Sequence, residues 1–333
     1  MIGLAGTELA AVERSWLTAH GVSGVILFAR NYASREQLLA LVESIREVAG
    51  ENILIAVDQE GGPVQRFREG FTALPALAAL GAAWDRAPGE AVQLAEEHAW
   101  LMASELRACG IDFSFAPVAD LARGNAAIGR RAFHADPEVT AELVQAYMRG
   151  LHLGGTAAVL KHFPGHGSVQ ADTHVAMAVD SRSLELIRRD DLRPFVEAIM
   201  MRAEAVMMAH VVYPEVDDRP AGYSRRWIGE VLRGELGFKG VVFSDDISMA
   251  AAGEAGDVAA RVGAHLDAGC DLVLACFPEV VPAAIAAVAD RVCLSAERLA
   301  PLRGAVASTW AGLLDNPQRQ RFIARVTALE SLS

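Results

Sequence analysis

Short apolar runs rich in β-branched residues recur at positions 24–28, 53–57, 111–116, 157–160, 205–208, 241–243 and 271–275. Runs of this length, apolar at nearly every position, suit strands buried on both faces, as in a parallel sheet. Between them lie longer stretches with apolar residues at helical spacing, at 35–49, 90–108, 137–153, 183–201 and 257–268. Several carry start or stop signals. Ser34 is placed to cap the first helix, with Gln37 as capping-box partner, and Gly50 and Gly269 stand where a helix ends in a left-handed residue.

Strand and helix alternate along the whole chain, which predicts the α/β class with a parallel sheet. Seven strands are clear, and 175–179 is the candidate for an eighth. An open dinucleotide-binding sheet would carry a Gly-rich turn after its first strand, whereas Phe28-Ala29-Arg30-Asn31-Tyr32 follows here. The expectation is a single-domain (β/α)8 barrel over residues 1–333, irregular at its eighth strand, with a peripheral helix at 316–333. Polar residues stand at the strand ends: Arg30 and Asn31, Asp58 and Glu60, Asp120, Lys161 and His162, His210, Asp245 and Asp246. In such a barrel those ends meet at one mouth, so residues distant in sequence share a site.

Composition narrows the classes. With 52% hydrophobic and 22% charged residues, the chain has the apolar content for a large core and is not disordered. A net charge of −12 opposes a phosphate backbone, and the arginine pairs are scattered instead of forming a stripe, which argues against nucleic acid. No run reaches the roughly 18 apolar residues of a membrane span, and the N-terminus lacks the basic region of a targeting segment. Cys109, Cys270, Cys276 and Cys293 have no CxxC spacing and read as reduced core residues of a cytoplasmic protein.

Candidate chemistry concentrates in Lys161-His162-Phe163-Pro164-Gly165-His166-Gly167, followed by Asp172-Thr173-His174. One reading makes His162, His166, Asp172 and His174 metal ligands, although no HExxH helix is present and Lys161 would set a cation beside the metal. The other makes His174 an acid/base oriented by Asp172, since imidazole exchanges protons near neutral pH. A second constellation, Ser244-Asp245-Asp246, closes an apolar strand. Two adjacent carboxylates repel and point apart, so one can face a pocket as nucleophile while the other bonds backbone; capping the next helix is the structural alternative. Asp58-Gln59-Glu60-Gly61-Gly62-Pro63-Val64-Gln65-Arg66 offers a carboxylate for vicinal hydroxyls, with glycines that admit a ligand close to the backbone. In Ile128-Gly129-Arg130-Arg131 an arginine can clamp a hydroxyl or carboxylate.

Together these motifs resemble glycoside hydrolase family 3, in its β-N-acetylhexosaminidase branch, over roughly residues 20 to 275. The resemblance implies a retaining hydrolase that releases β-linked N-acetylglucosamine. It implies Asp245 as nucleophile, His174 as acid/base tuned by Asp172, and Asp58, Arg66, Arg131, Lys161 and His162 as the holders of the terminal sugar. It implies no metal and no cofactor, and a soluble cell-wall fragment as substrate, N-acetylglucosaminyl-1,6-anhydro-N-acetylmuramic acid with or without its peptide. A monomer in the cytoplasm is expected. A loop-borne His174 predicts that segment 161–179 closes on substrate. A phosphorylase, a metal-dependent barrel hydrolase and a non-catalytic sugar-binding module are the alternatives. Arg130, Pro63 and Met208 depart from the family pattern, and Arg130 bears on the setting of Arg131.

Overall fold

The structure, a computed structural model, describes residues 1–169, 178–248, 256–305 and 309–329. Eight parallel strands carry it: β1 Ile2–Gly3, β2 Gly24–Leu27, β3 Leu54–Val57, β4 Phe113–Ser114, β5 Val159–Phe163, β6 Ala205–Met208, β7 Val241–Asp246 and β8 Leu272–Leu274. They form two four-stranded sheets in chain order, β1-β2-β3-β4 and β5-β6-β7-β8. Single parallel bridges join the sheets at both edges, Ile2 to Ala275 and Val118 to Lys161. The first is made by Gly3 N–H donating to Ala275 O at 2.9 Å and Ala275 N–H to Met1 O at 3.0 Å.

The apolar runs are continuous because successive side chains enter different cores. Val25, Leu27, Ile55, Val57, Leu160, Val206 and Val242 join a large buried cluster with the helices. Their neighbours Ile26, Leu54, Ala56, Val159, Ala205, Met207, Val241 and Phe243 form a second cluster between the sheets, in which the rings of Phe115 and Phe243 meet edge-on at 5.2 Å. The site lies above this second cluster.

The helices follow local signals closely. Arg35–Ala49 is capped by Ser34 Oγ, which accepts from Gln37 N–H, while the Gln37 side chain closes the box one residue early, on Ala33 N–H. Pro137–Leu153 begins at Asp136, whose carboxylate accepts from Glu138 and Val139 N–H. Val258–Ala268 runs from the Asp257 cap to Gly269, at φ 114°. The stretch expected as one helix over 183–201 is two, Leu184–Arg189 and Arg193–Met200. Pro194 cannot continue a helical ladder, and the break turns Asp191 inward to accept from Ser168 Oγ and Arg182 Nη1, both at 2.7 Å.

Two further expectations need correction. The eighth parallel strand is β1, not 175–179; of that segment Ala178–Val179 is described, and it pairs with Val211–Val212 in a separate three-stranded sheet. Cys293 is exposed, unlike the three buried cysteines. Near the C-terminus the helix is Pro317–Thr327, and Arg319 ties it to the buried Glu105 at 2.7 Å.

Candidate active site

After β3 the chain forms a tight hairpin, Gln59–Gly61 against Val64–Gln65. Buried Gln59 pins its return, accepting from Arg66 N–H at 2.8 Å and Phe67 N–H at 3.1 Å. This places Asp58 and Arg66 together, Arg66 Nη2 lying 3.7 Å from Asp58 Oδ2. Gly61 (φ 97°) and Gly62 (φ 54°) serve the turn: a Cβ would strike Pro75 O from the first and Ala76 Cβ from the second. They pack against protein, which corrects the expectation that they admit a ligand.

Strand β5 carries Lys161 inward until it is 2% exposed. Its ammonium bridges Asp58 Oδ1 at 2.7 Å and Glu60 Oε1 at 2.6 Å. Glu60 in turn takes a two-pronged bond from Arg131, with Nε at 2.9 Å and Nη2 at 2.8 Å. Burial pushes the Glu60 carboxyl upward, but Arg131 and Lys161 outweigh it and hold the group well below the usual carboxylate range. An ammonium has three donors and a guanidinium five. Lys161 therefore keeps one donor free of this network, and Arg131, which also bonds Ala127 O, keeps two. Arg66 Nε is buried without a partner among the described residues.

His162 is fixed by Asp120, which is fully buried and accepts from its Nδ1 at 2.7 Å. The same carboxylate accepts from the backbone N–H of His162 and of His166. Burial raises the Asp120 carboxyl and His162 and His166 bring it down, so it stays ionised. That fixes a proton of His162 on Nδ1 and orients the ring, with Nε2 as its other edge.

At the end of β7 the two carboxylates divide. Asp245 lines a cavity of about 650 Å³ shared with Asp58, Arg66, Arg131, Lys161 and His162. Burial raises its carboxyl, but His162, His210, the Asp246 N–H and Lys161 lower it by more, which keeps it ionised. Asp246 bonds backbone through Oδ1, accepting from Ser248 N–H at 3.0 Å and Cys276 N–H at 3.3 Å. Burial, chiefly, raises its carboxyl. An ionised carboxylate, a buried cation with a donor to spare and an oriented imidazole in one cavity can seat a polyhydroxylated ligand and attack it.

The family model described as the glycosyl hydrolase family 3 N terminal domain matches residues 2–302. The chain belongs to glycoside hydrolase family 3. It is a glycoside hydrolase of the β-hexosaminidase kind, similar to NagZ. It is 59% identical over 94% of its length to the β-hexosaminidase of Stenotrophomonas maltophilia, covering 93% of that protein. Identity to the β-hexosaminidase of Xylella fastidiosa is 57%, over 94% of this chain and 93% of that one. Among solved structures, NagZ from Neisseria gonorrhoeae in complex with N-trifluoroacetyl-D-glucosamine superposes with a TM-score of 0.92 at 40% identity, over 99% of this chain and 97% of that one.

Of the site residues expected in this family 3 chain, Asp58, Arg66, Arg131, Lys161, His162 and Asp245 meet in one cavity. Asp172 and His174 fall at 170–177, outside the described residues, which leaves 161–169 and 178–179 as the described parts of the segment expected to close. Among the described residues, no group of three His, Cys, Asp or Glu is arranged to hold a metal ion. Glu60, Asp120 and His210 were visible only as polar strand-end residues, and their partners show what they do. His210 Nε2 meets Asp246 O at 3.3 Å, next along the chain from Asp245. Asn125 carried no sequence signal; its side chain ties His166 Nδ1 at 3.0 Å to the segment before Arg131. Pro63 and Arg130 line the cavity, whereas Met208 is fully buried beside it. Arg131 is held by Glu60 at 2.8 Å, whereas Arg130 beside it is exposed.

Proposed function

We propose that this chain is a retaining exo-β-N-acetylglucosaminidase acting on the β-1,4 bond of N-acetylglucosaminyl-1,6-anhydro-N-acetylmuramic acid, with or without its peptide. The observation that carries the reading is the Asp245 carboxylate, kept ionised at a strand end in the same cavity as five polar groups suited to one sugar. The two sheets are read as halves of one (β/α)8 barrel, a reading supported by the bridges at both edges. The chain is read as one domain, a monomer working in the cytoplasm. Among the described residues no helix is long and apolar enough to cross a membrane.

In this mechanism Lys161, Arg131, Arg66, Asp58 and His162 hold the terminal N-acetylglucosamine. Asp245 attacks the anomeric carbon while His174, oriented by Asp172, protonates the departing oxygen. Water activated by neutral His174 then releases the sugar from Asp245 with the β configuration retained. Where such enzymes usually pair two carboxyl groups about 5–5.5 Å apart, an imidazole replaces one, so no carboxylic acid has to be kept protonated near neutral pH. No metal or cofactor takes part. Asp245→Ala should abolish release of nitrophenol from a nitrophenyl β-N-acetylglucosaminide and leave the unfolding transition intact; retained turnover would remove Asp245 from the role.

A further inference from the structure

Among the lining residues not assigned to the terminal sugar, Arg130 and Phe277 stand at the cavity's exposed end. Lys161, 2% exposed, and His162, backed by fully buried Asp120, mark the deep end. Phe277, 50% exposed, and Arg130, also exposed, line the same cavity where it meets solvent. An enzyme that removes a terminal sugar puts that sugar in the deep end and the group it leaves at the mouth.

Arg130 differs from every other cation around this cavity. Arg131 is bound to Glu60, Lys161 to Asp58 and Glu60, Arg66 faces Asp58 at 3.7 Å, and Arg30 beside the cavity is bound to the carbonyls of Leu4 and Cys276, at 2.7 and 2.5 Å. The Arg130 guanidinium has no ion pair or hydrogen bond among the described residues. Its backbone, by contrast, is held. Gly129 N–H donates to Asn125 O and Arg131 N–H to Ile128 O, both at 2.8 Å, while Ile128 on one side is buried and Arg131 on the other is clamped. A free charge on a fixed base is an anion receptor. Phe277 is oriented in a similar way: the Arg30 guanidinium packs 4.5 Å from the Phe28 centroid and 5.5 Å from that of Phe277. The uncovered half of the ring suits the apolar face of a second sugar.

We propose that Phe277 and Arg130 form the seat of the leaving group, and that this seat selects a leaving sugar bearing a carboxylate. The inference rests on the reading that the deep end takes a terminal N-acetylglucosamine. The carboxylate can belong to an ether substituent of the sugar or to an attached peptide; Arg130 reads the charge in either case.

The test is the ratio of kcat/KM for matched pairs of substrates within each variant. One pair is the peptide-free disaccharide with its lactyl carboxylate free or converted to the methyl amide; any effect of that change on the departing oxygen is common to all variants and cancels when their ratios are compared. The other is the peptide-bearing disaccharide with the peptide's carboxylates free or amidated. In the unaltered enzyme the acid should be preferred in at least one pair, by about threefold to fivefold, the range of an exposed ion pair. That preference should shrink with added salt, vanish in Arg130→Ala, reverse in Arg130→Glu and survive in Arg130→Lys. Phe277→Ala should weaken both members of a pair alike, by about fivefold from the lost half-ring contact. Equal rates within both pairs in the unaltered enzyme, or a preference unchanged in Arg130→Ala, would overturn the proposal. Failure to cleave any of the four would instead overturn the reading it rests on.

Discussion

Lys161, Glu60 and Arg131 show why single residues here cannot be understood alone. Each is a charge carried into the interior, and each is tolerable because the other two compensate it. Glu60→Gln keeps the shape and removes the charge, leaving Arg131 and Lys161 in excess around one remaining carboxylate, Asp58. We expect a loss of about 3 kcal/mol in stability, the scale for breaking a buried pair, together with a raised KM as Arg131 and Lys161 lose their fixed positions. Urea unfolding and steady-state kinetics check both, and an unchanged KM would detach Glu60 from the site. Asp58, Lys161, His162 and Asp245 stand out in the sequence as polar residues ending apolar strands, whereas Arg66 and Arg131 are marked by the family resemblance. It could not reveal that Glu60 and Arg131, 71 positions apart, hold each other. Pairing of that kind is set by how strands assemble, not by local pattern.

At the scale of elements, the helices with polar caps, 35–49 and 137–153, were legible to the residue because Ser34 and Asp136 fix their starts. Strand β1 was not, since two residues are too few to show a period. Segment 161–169, which carries Lys161 and His162, depends on close approach to its neighbours. A Cβ on Gly167 would lie 1.8 Å from the Leu121 carbonyl oxygen, and one on Gly165 would lie 2.6 Å from Asp191 Cβ. Backbone cannot yield as a side-chain tip does. Gly167→Ala should therefore cost about 1–3 kcal/mol and, by displacing the segment that bears the site, lower kcat/KM by about a hundredfold. Unchanged kinetics in a folded Gly167→Ala protein would show that the segment's position is immaterial to the chemistry.

For the molecule as a whole, two fully buried histidines that the proposed chemistry does not use link folding to pH. Burial holds His98 down at about 4 and His265 at about 3, against 6.5 for a free imidazole. His98 sits between Tyr147 Oη and Pro75 O, and His265 Nδ1 bonds Gly222 O. Below pH 6.5 the unfolded chain takes up protons that the folded one refuses, so stability is full above that value and falls as pH drops toward 4. Each histidine contributes about 1.4 kcal/mol per pH unit in that window, or about 4 kcal/mol for the pair between pH 7 and 5. Urea midpoints across that range measure it, and a flat profile would mean that the two rings are protonated in the folded protein.

The two-sheet arrangement brings Asp245 to the deep cavity, and the account stands or falls on what that carboxylate does. A fluorinated N-acetylglucosaminide with a good leaving group and slowed hydrolysis of the intermediate, followed by digestion and mass spectrometry, tests this directly. We predict a covalent sugar on the peptide containing residues 241–246, attached to Asp245 and absent in Asp245→Ala. A stable adduct on any other residue, or turnover of the probe with inversion at the anomeric carbon, would contradict it.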